Sequence, residues 1–169
     1  MSDKTEYVKC PTFDGKDKNW PFFKKKMESY LARIDVVELL SEDVDIPLDS
    51  DTDEDEDTLE EINRIHMKNR KAAGALLNAI DETTEEGKAA FFLIERFHDA
   101  ESGYAGGHFT NEWKALTSRY EEVQVKNLRD QKEEYYSKKM DWDDQPSVFI
   151  VSMDRKRKDL QKSDVNSVF

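Results

Sequence analysis

The residues best suited to metal chemistry in this chain lie in the glycine-rich stretch 98–108. His98, Asp99, Glu101 and His108 are conceivable ligands for zinc or iron, because imidazole nitrogens and carboxylate oxygens bind these metals. Their spacing matches no known zinc pattern, and no cysteine joins them. A turn between two helices explains the stretch, so we predict no metal and no other cofactor.

A second candidate site is an acidic stretch whose alternate residues match the ligand positions of a calcium-binding loop. The matching acids are Asp49, Asp51, Asp53, Asp55, Asp57 and Glu60. Glu54 occupies the position where the sharp turn of such a loop needs glycine, and Glu56 the position where it places an aliphatic side chain. A run this dense in acids matches alternate positions by chance. The pattern therefore favours weak condensation of divalent cations over a specific calcium site.

The catalytic motifs that can be read from sequence are absent. The chain has no nucleophile elbow, Walker loop, dinucleotide fingerprint or HExxH helix. Its three histidines and many acids allow Ser/His/Asp combinations, but no spacing selects one. The lone cysteine, Cys10, excludes an internal disulfide framework and fits a reducing compartment. We therefore predict a binding or assembly protein and no enzymatic activity.

The net charge of −12 comes from one segment. Residues 41–61 hold 12 acids and no lysine or arginine, which leaves 26 acids against 26 bases elsewhere. The part of this segment at 41–57 contains Pro47, has no apolar periodicity and repels itself, so we predict a flexible acidic loop there.

Apolar residues recur at steps of three and four along most of the chain, which is typical of amphipathic helices. After an extended N-terminal segment, the predicted helices run from Trp20 to Arg33, from Thr58 to about Ile80, from Thr83 to about Phe97, over 109–121, from Val123 to Lys139, and onward from Pro146. Capping boxes at Thr58–Glu61 and Thr83–Glu86 are predicted to begin the second and third helices. These segments predict an all-α fold, a helical bundle of about six helices.

Large aromatic residues at helical spacing usually pack internally. One stripe of the helix at 109–121 carries Phe109, Trp113, Leu116 and Tyr120, and the first helix carries Trp20, Phe23 and Met27 at similar spacing. We predict that these two stripes form the core.

Three short motifs follow one another along the chain. The first, F-x-G-x-N-Y-x-x-W-x-x-x-M, is similar to Phe13, Gly15, Asn19, Trp20, Phe23 and Met27, with Phe23 in place of tryptophan and two extra residues before Asn19. The second, A-W-x-x-L-x-x-x-Y, is similar to Glu112–Tyr120 and includes Trp113, Leu116 and Tyr120. The third, L…M…D-x-P-x-x-F/W-I, is similar to Leu128, Met140, Asp144, Pro146, Phe149 and Ile150. In this order the motifs resemble the Gag capsid region of copia-type LTR retrotransposons.

The resemblance implies a retroviral-capsid-like fold. Residues 1–121 would form a capsid N-terminal-like helical domain that contains the acidic loop, and residues 122–169 the opening helices of an incomplete C-terminal-like domain. The implied function is structural: copies self-assemble into a virus-like particle that packages the RNA of the element. This chain would contact that RNA only indirectly or through a missing downstream segment. Tyr135 and Tyr136 are the predicted assembly surface.

The chain has no apolar run of about 18 residues and no apolar core of a signal peptide near its N-terminus. We therefore expect a soluble, intracellular, cytoplasmic protein with no membrane partner. The alternative to a capsid protein is a monomeric helical interaction module, a domesticated Gag relative that binds a basic partner through the acidic loop.

Overall fold

The computed structural model describes residues 9–41, 44–48, 55–99, 101 and 103–166. In this part of the chain there are five α-helices: α1 Trp20–Arg33, α2 Glu56–Ala79, α3 Glu85–Glu95, α4 Phe109–Ser137 and α5 Pro146–Asn166. Short 3-10 helices lie at Asp17–Asn19 and Val37–Leu40. The described residues contain no β-strand, only an isolated parallel bridge between Phe13 and Ile80. The all-α prediction is confirmed, with five helices in place of about six.

The helix count differs because the helices predicted at 109–121 and 123–139 are one helix. α4 runs for 29 residues without interruption. No proline or glycine occurs between its ends, so nothing in the local sequence breaks the backbone hydrogen bonds. The chain divides into two compact units, Met1–Ser118 and Arg119–Phe169, and α4 contributes residues to both.

Both predicted capping boxes are wrong. α2 begins at Glu56, before Thr58, and the Thr58 hydroxyl donates to Asp55 Oδ2 at 3.1 Å instead of capping the helix. α3 is capped by Thr84, whose Oγ1 accepts from the Gly87 amide at 2.9 Å. Thr83 instead donates its amide and its hydroxyl to Asp81 Oδ1 at 3.0 and 2.7 Å, because an aspartate two residues upstream offers an Asx turn.

The predicted acidic loop falls partly outside the described residues, which omit 42, 43 and 49–54 and with them most of the calcium-loop template. Residues 56 and 57, predicted as loop, belong to α2. Within 44–48, Ile46 is buried, and its carbonyl accepts a hydrogen bond from the Tyr104 hydroxyl at 3.0 Å. This piece of the acidic segment is therefore packed against the glycine-rich stretch 98–108.

The N-terminal segment is hydrogen-bonded to the end of α2 and to the turn between α2 and α3. The Phe13 amide donates to the Ala79 carbonyl and the Asp81 amide to the Phe13 carbonyl, both at 2.8 Å. The Thr84 hydroxyl donates to the Asp14 carbonyl at 2.9 Å. Gly15 has φ +78°, and a Cβ there would lie 2.1 Å from the Glu86 carbonyl carbon. Only glycine fits this close backbone approach.

A chain of aromatic rings forms the centre of the first unit. The Phe13 ring stacks on Phe23 at 4.8 Å and lies 5.5 Å from Trp20, centroid to centroid. Trp20 lies 5.8 Å from Trp113, which stacks on Phe109 at 6.0 Å. These five side chains are buried and join the N-terminal segment, α1 and α4 in one core. Met27 and Leu116 are also buried within this unit.

None of the helices in the described residues is both long enough and apolar enough to cross a membrane.

Two neighbouring phenylalanines of α1 test this core. Phe23 is 3% exposed and Phe22 is 67% exposed. We expect Phe23→Ala to lower the free energy of unfolding by about 3–5 kcal/mol, because it removes a buried ring and leaves a cavity. Phe22→Ala loses only an exposed contact with Lys26, worth about 0.5–1 kcal/mol or less. Urea unfolding followed by circular dichroism measures both, and equal losses would contradict the assignment of Phe23 to the core.

Two glycine substitutions should change stability in opposite directions. Gly15→Ala places a methyl group against the Glu86 backbone at a positive φ, so we expect a loss of more than about 1 kcal/mol. Gly74 lies inside α2, where an added methyl group would meet nothing within 4 Å, so Gly74→Ala should gain about 0.5–1 kcal/mol through helix propensity. Thermal unfolding of the two variants measures both shifts. A Gly15→Ala protein as stable as wild type would rule out the close approach.

Candidate functional site

Glu112 is a carboxylic acid in the interior of the first unit. Its side chain is 0% exposed, in the first turn of α4. Glu112 Oε1 accepts a hydrogen bond from the His108 amide at 2.9 Å. The same oxygen lies 3.1 Å from His98 Nε2. A glutamate at a fully buried position is rare, which marks this cluster as a candidate site.

Asn69 of α2 fixes the backbone that surrounds this acid. Its side-chain Nδ2 donates to the Gly107 carbonyl at 2.7 Å, and its Oδ1 accepts from the Phe109 amide at 2.9 Å. A Cβ on Gly107, which has φ +88°, would lie 2.5 Å from both Glu112 Oε1 and His98 Cε1. The last residues of the glycine-rich stretch are therefore held between α2 and the buried acid, with no room for a side chain at Gly107.

Burial decides the protonation of the pair. It raises the pKa of Glu112 to about 8, although the hydrogen bond from the His108 amide acts in the opposite direction. Burial also lowers the pKa of His98, against the attraction of Glu95. Both side chains are therefore neutral at pH 7, because charging either group in the interior costs more than their attraction returns. Although 3.1 Å apart, the two groups form a neutral pair and no ion pair.

His108 belongs to the same cluster through its backbone and its ring. Its Nδ1 accepts from the Asn111 amide at 3.3 Å, and the Tyr104 ring packs edge-on at 4.6 Å. Burial lowers the pKa of this histidine too, while the nearby Asp45 raises it. His108 therefore helps to fold the stretch back onto α4.

The residues predicted as conceivable metal ligands point to different partners. His98 faces Glu112, and Asp99 Oδ1 accepts from the Glu101 amide at 2.9 Å. Within the described ranges, no three His, Cys, Asp or Glu residues are grouped so that they could hold a metal ion. The carboxyl group of Glu112 in this cluster titrates near neutrality. The hydrogen bonds of the cluster hold the glycine-rich stretch against α4. Its chemistry is thus acid–base titration coupled to folding.

The role of Glu112 was missed from the sequence, where this residue is only the first position of a motif. A signal was present. Phe109, Glu112 and Leu116 follow one another at steps of three and four, so Glu112 lies on the buried stripe of α4. An acid on such a stripe is either paired or neutral in the folded protein.

The second feature of interest is the surface of the second unit. Tyr120 is buried, but from residue 121 to residue 163 no residue is buried. Seven large apolar residues in this unit are exposed: Val125, Tyr136, Met140, Trp142, Val148, Ile150 and Val151. Within the unit, Lys156 of α5 bonds Glu134 of α4 at 2.5 Å. The second unit therefore leaves unburied much of the apolar surface that a domain of its size needs for stability.

The predicted motif residues are distributed unevenly. Phe13, Trp20, Phe23, Met27, Trp113, Leu116 and Tyr120 are all buried, and Gly15 makes the close backbone approach described above. The motif residues of α5 differ from these, since Pro146 is exposed and Phe149 is half-buried. Both belong to the first turn of α5, where few side chains cover them. Tyr135 is half-buried, and Tyr136 is 81% exposed with its ring 5.3 Å from that of Tyr135.

No family model, no curated protein and no solved structure matches this chain.

The buried acid makes stability depend on pH. The folded state keeps the Glu112 proton up to about pH 8, whereas the unfolded chain releases it near the ordinary pKa of 4.5. The folded state thus binds more protons in this window, so the free energy of unfolding falls as pH rises, by up to about 1.4 kcal/mol per pH unit. The lowered pKa of His98 acts on the acid side, where stability falls as pH drops below 6.5.

Glu112→Gln tests this dependence. We expect the variant to lose the fall in stability between about pH 5 and pH 8, because glutamine does not titrate and can still accept from the His108 amide. Denaturant unfolding at several pH values gives the slope. Glu122→Gln, on the exposed side of α4, is the matched control and should keep the wild-type slope. An unchanged slope in Glu112→Gln would mean that Glu112 is ionised in the folded protein.

Proposed function

We propose that this chain is a structural protein of the Gag capsid type, which self-assembles into a particle and packages the RNA of a copia-type retrotransposon. The observation that carries the proposal is the exposed apolar surface of the second unit, in a chain that is helical throughout its described elements. In this proposal residues 1–121 act as the capsid N-terminal-like domain and residues 122–169 as the opening helices of a C-terminal-like domain.

The burial pattern supports an assembly role. Side chains such as Trp142, which is 100% exposed, and Ile150, which is 64% exposed, gain about 25 cal/mol per Å² when a partner covers them. Seven exposed large apolar side chains within one unit of about 50 residues support a site of protein–protein contact there. Many weak and identical contacts are enough to close a shell, because symmetry repeats each one around the particle.

The first unit supplies the rigid part of such a protein. Its motif residues Trp20, Phe23 and Trp113 are used in the core, so they are not available as an assembly surface. A closely packed core has low compressibility, so the surface of this unit keeps the same shape in every copy. We assign the assembly contacts to side chains outside this core, and Tyr136 is one of them.

The charge distribution limits the contact with RNA. Outside residues 41–61 acids and bases are equal in number, so this chain supplies little of the phosphate neutralisation on which RNA affinity depends. RNA packaging in this proposal occurs indirectly or through a downstream segment, inside a cytoplasmic particle. No catalytic step and no cofactor is involved.

A second candidate function is a monomeric interaction module, and a specific feature of α2 favours it. The acids at the start of this helix, Asp55, Glu56, Asp57, Glu60 and Glu61, are all exposed. They belong to the segment 41–61, which holds 12 acids and no lysine or arginine, and such a density of negative charge attracts a basic protein partner. Such a partner would bind in a salt-sensitive manner.

Light scattering combined with electron microscopy distinguishes the two functions. We expect the purified chain to form larger species as its concentration rises, with sheets, rings or shells visible in micrographs. The matched control replaces the acids of 49–57 with Asn and Gln, keeps the buried Ile46, and should assemble like wild type. A chain that stays monomeric, and that binds a basic peptide only when these acids are present, would support the interaction module and overturn the capsid proposal.

A further inference from the structure

One face of α5, together with the turn before it, carries acidic, then apolar, then basic residues along the chain. Val148, Val151, Arg155, Lys158 and Lys162 follow one another at alternating steps of three and four, the spacing of a helical seam. Asp144 and Asp141 precede the helix in a turn, where the Asp141 amide donates to Asp144 Oδ2 at 2.9 Å, and they add two acidic side chains at the N-terminal end of this face. The resulting seam is acidic first, apolar in the middle and basic last. All seven residues are exposed.

The opposite side of α5 is the one that packs within the second unit. Phe149, Met153 and Leu160 are half-buried there, and Lys156 on the same side bonds Glu134 of α4. The seam therefore faces away from the unit's own contacts. Val148 and Val151 are 62% and 69% exposed.

We propose that a second copy of this chain covers the seam in an antiparallel, two-fold contact between the two α5 helices. The inference rests on the proposed function, since it names one of the contacts through which copies would assemble. In the best register Val148 of each copy lies opposite Val151 of the other. The acidic turn of each copy, with Asp141 and Asp144, then lies beside the basic end of the other, with Arg155 and Lys158. Each of these pairings occurs twice, because a two-fold contact is isologous.

Charge order selects the antiparallel arrangement and a second copy as occupant. A parallel pairing would place the acids of one copy beside the acids of the other and the bases beside the bases, which is destabilising. In the antiparallel pairing the methylene stems of Arg155 and Lys158 cover the edges of the two valine pairs while their charged ends reach the acids. The fully exposed Trp142, next to Asp141, adds apolar surface at each end of the contact.

An existing ion pair does not compete strongly with this contact. Lys158 Nζ lies 3.1 Å from Asp154 Oδ2 in the same helix. An exposed pair of this kind contributes little to stability, so Lys158 can turn to the second copy at little cost. A contact between two single helices is also smaller than a standard interface. It is therefore weak on its own and suits an assembly built from repeated contacts.

Charge reversal tests the pairing directly. Arg155→Glu/Lys158→Glu makes the seam acidic at both ends, and Asp141→Lys/Asp144→Lys makes it basic at both ends. We expect each double variant alone to raise the dissociation constant of the dimer at least about tenfold, because like charges then face one another. An equimolar mixture of the two variants should dimerise again, since every charged pair is then complementary. Sedimentation velocity of the full chain measures all three samples, and circular dichroism checks that the variants fold.

Ile150→Ser is the matched control. Ile150 is 64% exposed on the same turn of α5, but it lies about 100° around the helix from Val151, outside the seam. This substitution should leave the dissociation constant unchanged, and Val151→Ser should raise it.

The outcomes separate this inference from the proposed function. Particles that form equally from wild type and from all variants would overturn the α5 contact and leave the capsid proposal standing. A dimer that follows the predicted charge pattern, without rings, sheets or shells in micrographs, would support the α5 contact and overturn the capsid proposal. A wild-type chain that is monomeric at every concentration would overturn both.

Discussion

The contact between Trp20 and Trp113 joins two helices of the first unit, α1 and α4, that are far apart along the chain. Trp20 is the first residue of α1 and also touches Phe13 and Phe23, while Trp113 stacks on Phe109 in the first turn of α4. Phe13 in turn carries the backbone bonds that hold the N-terminal segment to the end of α2. The N-terminal segment, α1 and α4 are thus positioned by aromatic rings that belong to one another.

The sequence predicts the elements whose signals are local. α1 has the predicted bounds because its apolar period, Pro21 in the first turn and Gly15 just before it all agree. α5 begins at Pro146 as predicted, since proline is well tolerated at the first helical position. The prediction divides α4 in two because its apolar stripe weakens near residue 121, although helix formers continue without a break. The choice between Thr83 and Thr84 as a cap depends on Asp81, whose carboxylate takes both donors of Thr83.

The candidate site is harder to predict than the fold because it depends on contacts between distant parts of the chain. Nothing in the spacing of His98 and Glu112 indicates that they meet, and a charged state of both would place them at the surface. Their approach follows from Gly107 and Asn69, which bring the glycine-rich stretch down onto α4. The exposure of the apolar side chains in the second unit is equally hard to predict, because apolar periodicity alone does not distinguish a buried helix face from an exposed one. Solvent exposure in the folded chain makes that distinction.

The position of Trp113 has a consequence for synthesis of the chain on the ribosome. Phe13, Trp20 and Phe23 are made early, but the ring that completes their core belongs to α4 and is made much later. At a translation rate of about 5–20 residues per second, these aromatic side chains wait on the order of ten seconds before their partner emerges. During this interval the nascent chain exposes hydrophobic aromatic side chains to solvent. Chaperones recognise exposed hydrophobic surface of this kind. When several ribosomes translate one messenger RNA, their nascent chains would then expose these aromatic side chains close to one another before α4 has been made.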